Sequence, residues 1–198
     1  MSHLQLIQTH STRITDEDIK LAGQQDPRHG AELLVRKYRD HLFRHAAGIL
    51  KNYERALDVT QEVFIKAMRE PRFYDADFKM KAWLYRVTTN LCFNMVRNRK
   101  RRAAILEARP QAKSAAPVQM DTVFETERQS TVLHAMEQLS ENHRKILMLR
   151  YYSDLSYAEI ADALDVKLGT VMSRLSRAKG RLAEVLDEVE GSADIQEA

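Results

Sequence analysis

Two lines of side chains in this 198-residue chain have the types and the spacing to hold nucleic acid. Trp83, Arg86, Asn90, Asn94, Arg97 and Arg101 fall within about 80° of one another if residues 79–104 are helical. An aromatic plane for stacking, two amides that reach base edges and three guanidinium groups for phosphates form the set that exposed bases require. Trp83 alone would suit a core equally well. The second line is Thr170, Ser173, Arg174, Arg177 and Arg181, with Lys179 beside it. From Thr170 to Leu182 there are four basic residues and no acidic one, which suits a helix lying in a major groove. The same cations would also complement the C-terminal dipole of an ordinary amphipathic helix.

Two other groupings carry less. Asp58, Gln61 and Glu62 share one helix face at i, i+3 and i+4, as a solvated surface would. His41 and His45 stand at i and i+4 but lack a glutamate base or a third ligand, so satisfied or solvated histidines are expected, with no metal and no cofactor. Cys92 reads as a small core residue.

The elements that must position these lines follow from caps and periodicity. Ser156 with Glu159 is a capping box, after which Tyr157, Ile160, Ala161 and Leu164 recur at helical spacing. Residues 165–168 turn the chain to Gly169, and a second helix starting near Thr170 places Val171, Leu175, Ala178 and Leu182 inward. That is a helix-turn-helix. Thr15 with Asp18 signals a short helix over 16–24. A longer one over 30–50 carries Leu34, Tyr38, Leu42, Ala46 and Ile49 on its buried side. A third over 53–70 is expected to bury Leu57, Phe64 and Met68. An aromatic and acidic loop over 72–78 leads into the fourth helix, whose packing side is Leu84, Val87, Leu91 and Met95. Residues 108–119 have two prolines and no periodicity, hence a linker. Beyond it Val132, Met136 and Leu139 form a stripe, Ser140 is a cap, and 141–152 is apolar nearly all round.

Composition agrees with this outline. With 30% charged and 44% hydrophobic residues, six Gly and four Pro, the chain should be all-α and soluble. A single cysteine excludes an internal disulfide framework and fits a reducing compartment. The N-terminal stretch lacks a basic segment followed by an apolar run, and no stretch approaches a membrane span, so a cytoplasmic protein without membrane insertion is expected. The net charge of +3 hides eight basic and no acidic residues over 79–102, against five acidic and no basic residues over 187–198. The expected organisation is two small helical domains, 15–107 and 121–187, joined by a flexible linker at 108–120 and followed by an acidic tail at 188–198.

Three segments then carry a family resemblance: 58–67 (DVTQEVFIKA), 83–91 (WLYRVTTNL) with its basic end, and 156–179 (SYAEIADALDVKLGTVMSRLSRAK). In this order, with a linker between the second and third, they resemble bacterial extracytoplasmic-function (ECF) sigma factors of the sigma-70 family, over about residues 31–186. The resemblance implies a sigma-2 and a sigma-4 domain and a non-enzymatic specificity subunit without a small-molecule substrate. It further implies that Asp58, Gln61, Glu62 and Phe64 dock on core RNA polymerase. Loop 72–78 with Lys79, Lys81, Trp83, Arg86, Asn90 and Asn94 would open and hold the promoter −10 element, with Arg97 and Arg101 on the same basic face. Thr170, Ser173, Arg174 and Arg177, with Lys179 and Arg181, would read the −35 element as duplex. Core polymerase, promoter DNA and an anti-sigma factor are the partners implied. Arg55, Ser140 and Met172 depart from the pattern, standing where an acid, a proline and a lysine are usual. A free-standing helix-turn-helix regulator is the alternative, though no dimerising segment or ligand domain is visible for it.

Overall fold

The computed structural model describes residues 14–107 and 127–194, and among these every regular element is helical. The expected linker and the last four residues lie outside the described residues. The helices form two groups: α1 (Asp16–Gln25), α2 (Pro27–Leu50), α3 (Tyr53–Arg69) and α4 (Met80–Glu107), then α5 (Glu127–Gln138), α6 (Glu141–Leu147), α7 (Tyr157–Leu164) and α8 (Leu168–Asp194).

Local chemistry sets most of the boundaries. The Thr15 hydroxyl accepts the Asp18 N–H at 3.1 Å and the Asp18 carboxylate accepts the Thr15 N–H at 2.8 Å, which starts α1. Asp26 then ends α1 and caps α2 by accepting the Arg28 N–H at 2.9 Å. Pro27 occupies the first helical position, where no N–H is needed. So α2 begins three residues ahead of the expected 30.

The α1–α2 crossing is a glycine contact: a Cβ on Gly30 would overlap the backbone of Gly23, and one on Gly23 would overlap the ring of Tyr74. Tyr38 donates to Asp16 at 2.6 Å and ties the two helices at their other end. Leu34, Tyr38, Leu42, Ala46 and Leu50 of α2 are buried, whereas Ile49 is only half-buried. In α3 the expected stripe needs correcting. Ala56, Val59, Val63, Phe64 and Ala67 face inward, while Leu57 and Met68 are 39% and 55% exposed. The small residues Ala56 and Ala67 let α3 approach closely along that arc, which turns Leu57 and Met68 outward.

In the second group α6 continues into a π-turn over Met148–Tyr152 that buries Met148 and Leu149. Arg144 donates to the carbonyls of Met136 at 2.8 Å and Glu137 at 2.6 Å, completing the C-terminal end of α5. Val132, expected inward, is exposed, and Ala135 takes the buried place. The Ser156–Glu159 box caps α7 (3.2 and 2.7 Å), and Asp165 at φ 53° ends it. Helix α8 starts at Leu168 and runs on through Asp194, so part of the expected acidic tail is helical. Arg181 pairs with Glu184 at 2.8 Å and approaches Glu188 at 3.8 Å along it.

The two groups touch. Helix α7 lies on α4, the π-turn lies on α2, and buried residues from both groups form one cluster. Tyr152 packs over Gly48, and the Lys145 ammonium sits 5.1 Å from the centroid of the buried Phe93 ring. Among the described residues no helix is long and apolar enough to cross a membrane.

Candidate nucleic-acid interface

The line along α4 is exposed where the periodicity requires it. Asn90, Asn94, Arg97 and Arg101 face solvent, Arg86 is half-buried, and Arg97 donates to the Asn94 side-chain oxygen at 2.6 Å. Trp83 is half-buried, edge-on to Phe73 with centroids 5.5 Å apart and tilted to Phe78 at 6.1 Å. Its environment divides the two readings of the sequence: one side packs in the aromatic cluster, the rest opens onto a cleft. Loop 72–78 is held rigidly at the head of this line. Arg72 bridges Asp75 at 3.0 Å and Asp77 at 2.9 Å, while Gln24 and Lys20 of α1 donate to the carbonyls of Tyr74 and Ala76, each at 2.8 Å. Bonding to Asp75 and then Asp77 raises the Arg72 pKa. Phe73, fully buried, anchors the loop.

On α8 the line divides. Ser173, Arg177, Lys179 and Arg181 are exposed, whereas Thr170 and Arg174 are half-buried and face the cleft that Trp83 and Arg86 line from the other side. The cleft holds about 790 Å³, and Phe78, Asp162, Asp165 and Lys167 also line it. Lys79 reaches Asp162 at 3.0 Å and Lys81 reaches Glu159 at 2.8 Å, so both lysines are engaged by α7. Burial pushes the Glu159 pKa up, but the bonds from Lys81 and from the Ser156 cap outweigh it and hold the carboxyl below its ordinary value. In the sequence Glu159 is marked only by its capping box, and Asp162 by nothing. No local signal marks a carboxylate that pairs with a lysine about eighty positions away.

Asp58, Gln61 and Glu62 are exposed on α3, with Glu62 paired to Lys66 at 3.4 Å. Phe64, which the apolar stripe places inward and the resemblance places at the docking face, is 7% exposed and belongs to the core. The large apolar side chains beside the polar face are Leu57, Ile65 and Met68, at 39%, 48% and 55% exposure. Their spacing places them within about 80° on the helix, a signal the sequence did carry. Leu168 and Met172 are likewise exposed in the first turns of α8.

His41 and His45 do not converge on a site. His45 is buried, with Nε2 at 2.8 Å from the Thr89 hydroxyl and Nδ1 at 2.5 Å from the Ser153 hydroxyl, so both ring nitrogens are occupied. Burial pushes its pKa down to about 3. Burial also raises the Cys92 thiol to about 12, leaving it unreactive.

Residues 34–102 match the family described as Sigma-70 region 2, and residues 129–182 match Sigma-70, region 4. The ECF RNA polymerase sigma factor SigE of Mycolicibacterium smegmatis is 35% identical over 157 residues, 77% of this chain and 60% of that protein. The ECF RNA polymerase sigma factor SigW of Bacillus subtilis is 27% identical over 165 residues, 79% of this chain and 88% of that protein. The chain thus spans less than two thirds of the first relative's length and most of the second's. Among solved structures, the sigma factor RpoE of Bartonella quintana, seen with the anti-sigma factor NepR, superposes with a TM-score of 0.57 at 24% identity, covering 79% of this chain and 96% of that one.

Proposed function

The chain belongs to the ECF group of the sigma-70 family, and from that premise we propose that it directs core RNA polymerase to promoters, reading the −35 element as duplex and capturing the −10 element as separated strand. The strongest support is the exposed line on α4, set beside a rigid loop and a half-open aromatic pocket. Flipping a base out of the stack costs a few kcal/mol, and a pocket with a cationic groove offsets that cost. Trp83 and Phe78 offer the stacking surface, Asn90 and Asn94 the base-edge groups, and Lys79, Lys81, Arg86, Arg97 and Arg101 the phosphate contacts. Thr170, Ser173, Arg174, Arg177, Lys179 and Arg181 would lie along the −35 major groove, with Met172 adding an apolar contact where a lysine is usual in the family.

The proposed units are a sigma-2 domain over 15–107 and a sigma-4 domain over 121–187, with 108–120 between them and 188–198 after them. Asp58, Gln61 and Glu62 would meet core polymerase, with Phe64 supporting the helix from beneath. The chain performs no chemistry itself and works in the cytoplasm. A relative's complex with an anti-sigma factor supports a partner of that kind here. A free-standing regulator would have no use for a face that holds unpaired bases.

Reconstitution tests this. Adding the purified chain to core polymerase and a library of promoter fragments should give transcripts from a subset sharing two elements at fixed spacing. Core polymerase that starts at the same places with and without the chain would refute it.

A further inference from the structure

Loop 72–78 stands at the head of the α4 line, and its shape is set from two sides. Toward the cleft, Arg72 and Asp77 line the space beside Trp83, and Arg72 bridges Asp75 and Asp77. The loop itself is a run of tight turns, in which the N–H groups of Phe73, Asp75 and Phe78 donate to the carbonyls of Glu70, Arg72 and Asp75 at 3.1, 2.9 and 3.1 Å. The carbonyls of Tyr74 and Ala76 are bonded from α1 instead. Gln24 donates to the first through Nε2 and Lys20 to the second through Nζ, each at 2.8 Å. Beside these donors Gly23 leaves a notch that the Tyr74 ring fills, and a Cβ on Gly30 of α2 would come within 3.1 Å of the same ring. Lys20, Gly23 and Gln24, at i, i+3 and i+4, make one face of α1 given over to the loop. Among the described residues that line the cleft, none belongs to α1.

From these positions we infer that α1 is a specificity element of strand capture that touches no nucleotide: Lys20, Gly23 and Gln24 hold loop 72–78 in the one shape that selects a particular −10 base. This rests on the reading of the loop as part of the strand-capture surface. Phosphate contacts position a nucleic acid, and base contacts specify it. The cations suited to the first task, Arg86, Arg97 and Arg101, stand on α4 and hold a strand whatever its sequence. The second task falls on the loop. A loop free to readjust would accommodate several bases at similar energy, whereas a fixed one leaves a polar group unpaired when the wrong base enters. Lys20, Gly23 and Gln24 are therefore positioning residues, and releasing the loop costs selectivity before it costs affinity. The Lys20 bond is charge-assisted, so it is the stronger of the two ties.

The test uses holoenzyme assembled from the full-length chain and promoters carrying each of the four bases at every −10 position. Gln24→Glu keeps the side-chain shape but gives the Tyr74 carbonyl no proton, and Lys20→Met keeps an unbranched stem without the ammonium. In each variant the preference for the best base over the other three, at the most selective position, should fall by about 2- to 10-fold, the equivalent of one hydrogen bond of ordinary net strength. Occupancy averaged over the four bases should stay within about 2-fold, since the phosphate contacts remain. Gln25→Glu, the same charge change at the exposed neighbouring position, should keep the parent's preference. An unchanged preference in either variant, an equal loss for all four bases, or the same flattening by Gln25→Glu would overturn the inference, while a parent that still prefers one base leaves the functional reading standing. If the parent shows no −10 preference at all, the strand-capture reading falls and the role of α1 falls with it.

Discussion

Acidification should loosen this protein through one residue, His45. Its imidazole is buried between α2, α4 and the segment after the π-turn, edge-on to Tyr85 at 5.3 Å and bonded to Thr89 and Ser153. Burial lowers its pKa from an ordinary 6.5 to about 3. The sign follows from proton counting. Between those two values the unfolded chain binds a proton that the folded chain refuses, so stability is intact above about pH 6.5 and falls as the pH drops toward 3. At pH 5, a unit and a half below the unfolded value, the loss is about 2 kcal/mol at 1.4 kcal/mol per unit. That figure changes little if the folded pKa is 2 or 4, because at pH 5 the folded imidazole is neutral in either case. Urea unfolding at pH 7.5 and pH 5 measures it when the parent is compared with His45→Gln, since the other titrating groups are common to both. The difference in stability between parent and variant should shrink by about 2 kcal/mol on going to pH 5. Parallel loss in the two proteins, with the difference constant to about 0.5 kcal/mol, would show that His45 is not held neutral by burial.

Three further outcomes follow from the geometry. Arg174→Ala should weaken −35 recognition by about 1–3 kcal/mol and relax preference at one base position, read by holoenzyme binding to a panel of −35 variants; an unchanged preference would remove Arg174 from base contact. Trp83→Ala should impair promoter opening more than closed-complex binding, seen as lost permanganate reactivity of −10 thymines, whereas normal reactivity would leave Trp83 with a packing role only. Gly23→Ala should lower the urea midpoint by an amount equivalent to about 1–3 kcal/mol, because the new methyl group meets the Tyr74 ring at its attachment end, and only movement of loop 72–78 relieves it. An equal or higher midpoint would mean that the loop yields freely.

What was legible in the sequence was local. Both capping boxes form as read, because a hydroxyl and a carboxylate three residues apart complete each other without help from elsewhere. The exposed stretch of the α4 line was legible too, since exposed positions on a regular helix obey its period. Less legible were features set by neighbours. Asp26 ends α1 and, with Pro27, starts α2, so that no gap separates the two helices as the expected bounds of 24 and 30 would leave. In α3, Leu57 and Met68 looked like core residues by type, and only the packing of Ala56 and Ala67 shows which arc faces inward. Nothing in residues 141–152 announced a π-turn. The contact of α7 with α4 joins lysines and carboxylates about eighty positions apart, and a stripe reading treats each side as solvated. That is why the two lines were legible as surfaces but the cleft between them was not.

The most direct measurement is a double dissociation in the holoenzyme, using a −35 duplex and a single-stranded −10 oligonucleotide as separate ligands. Arg174→Ala with Arg177→Ala should weaken the duplex and leave the strand unchanged, and Asn90→Ala with Asn94→Ala should do the reverse. Equal weakening of both ligands by either pair would contradict a division of labour between α8 and α4.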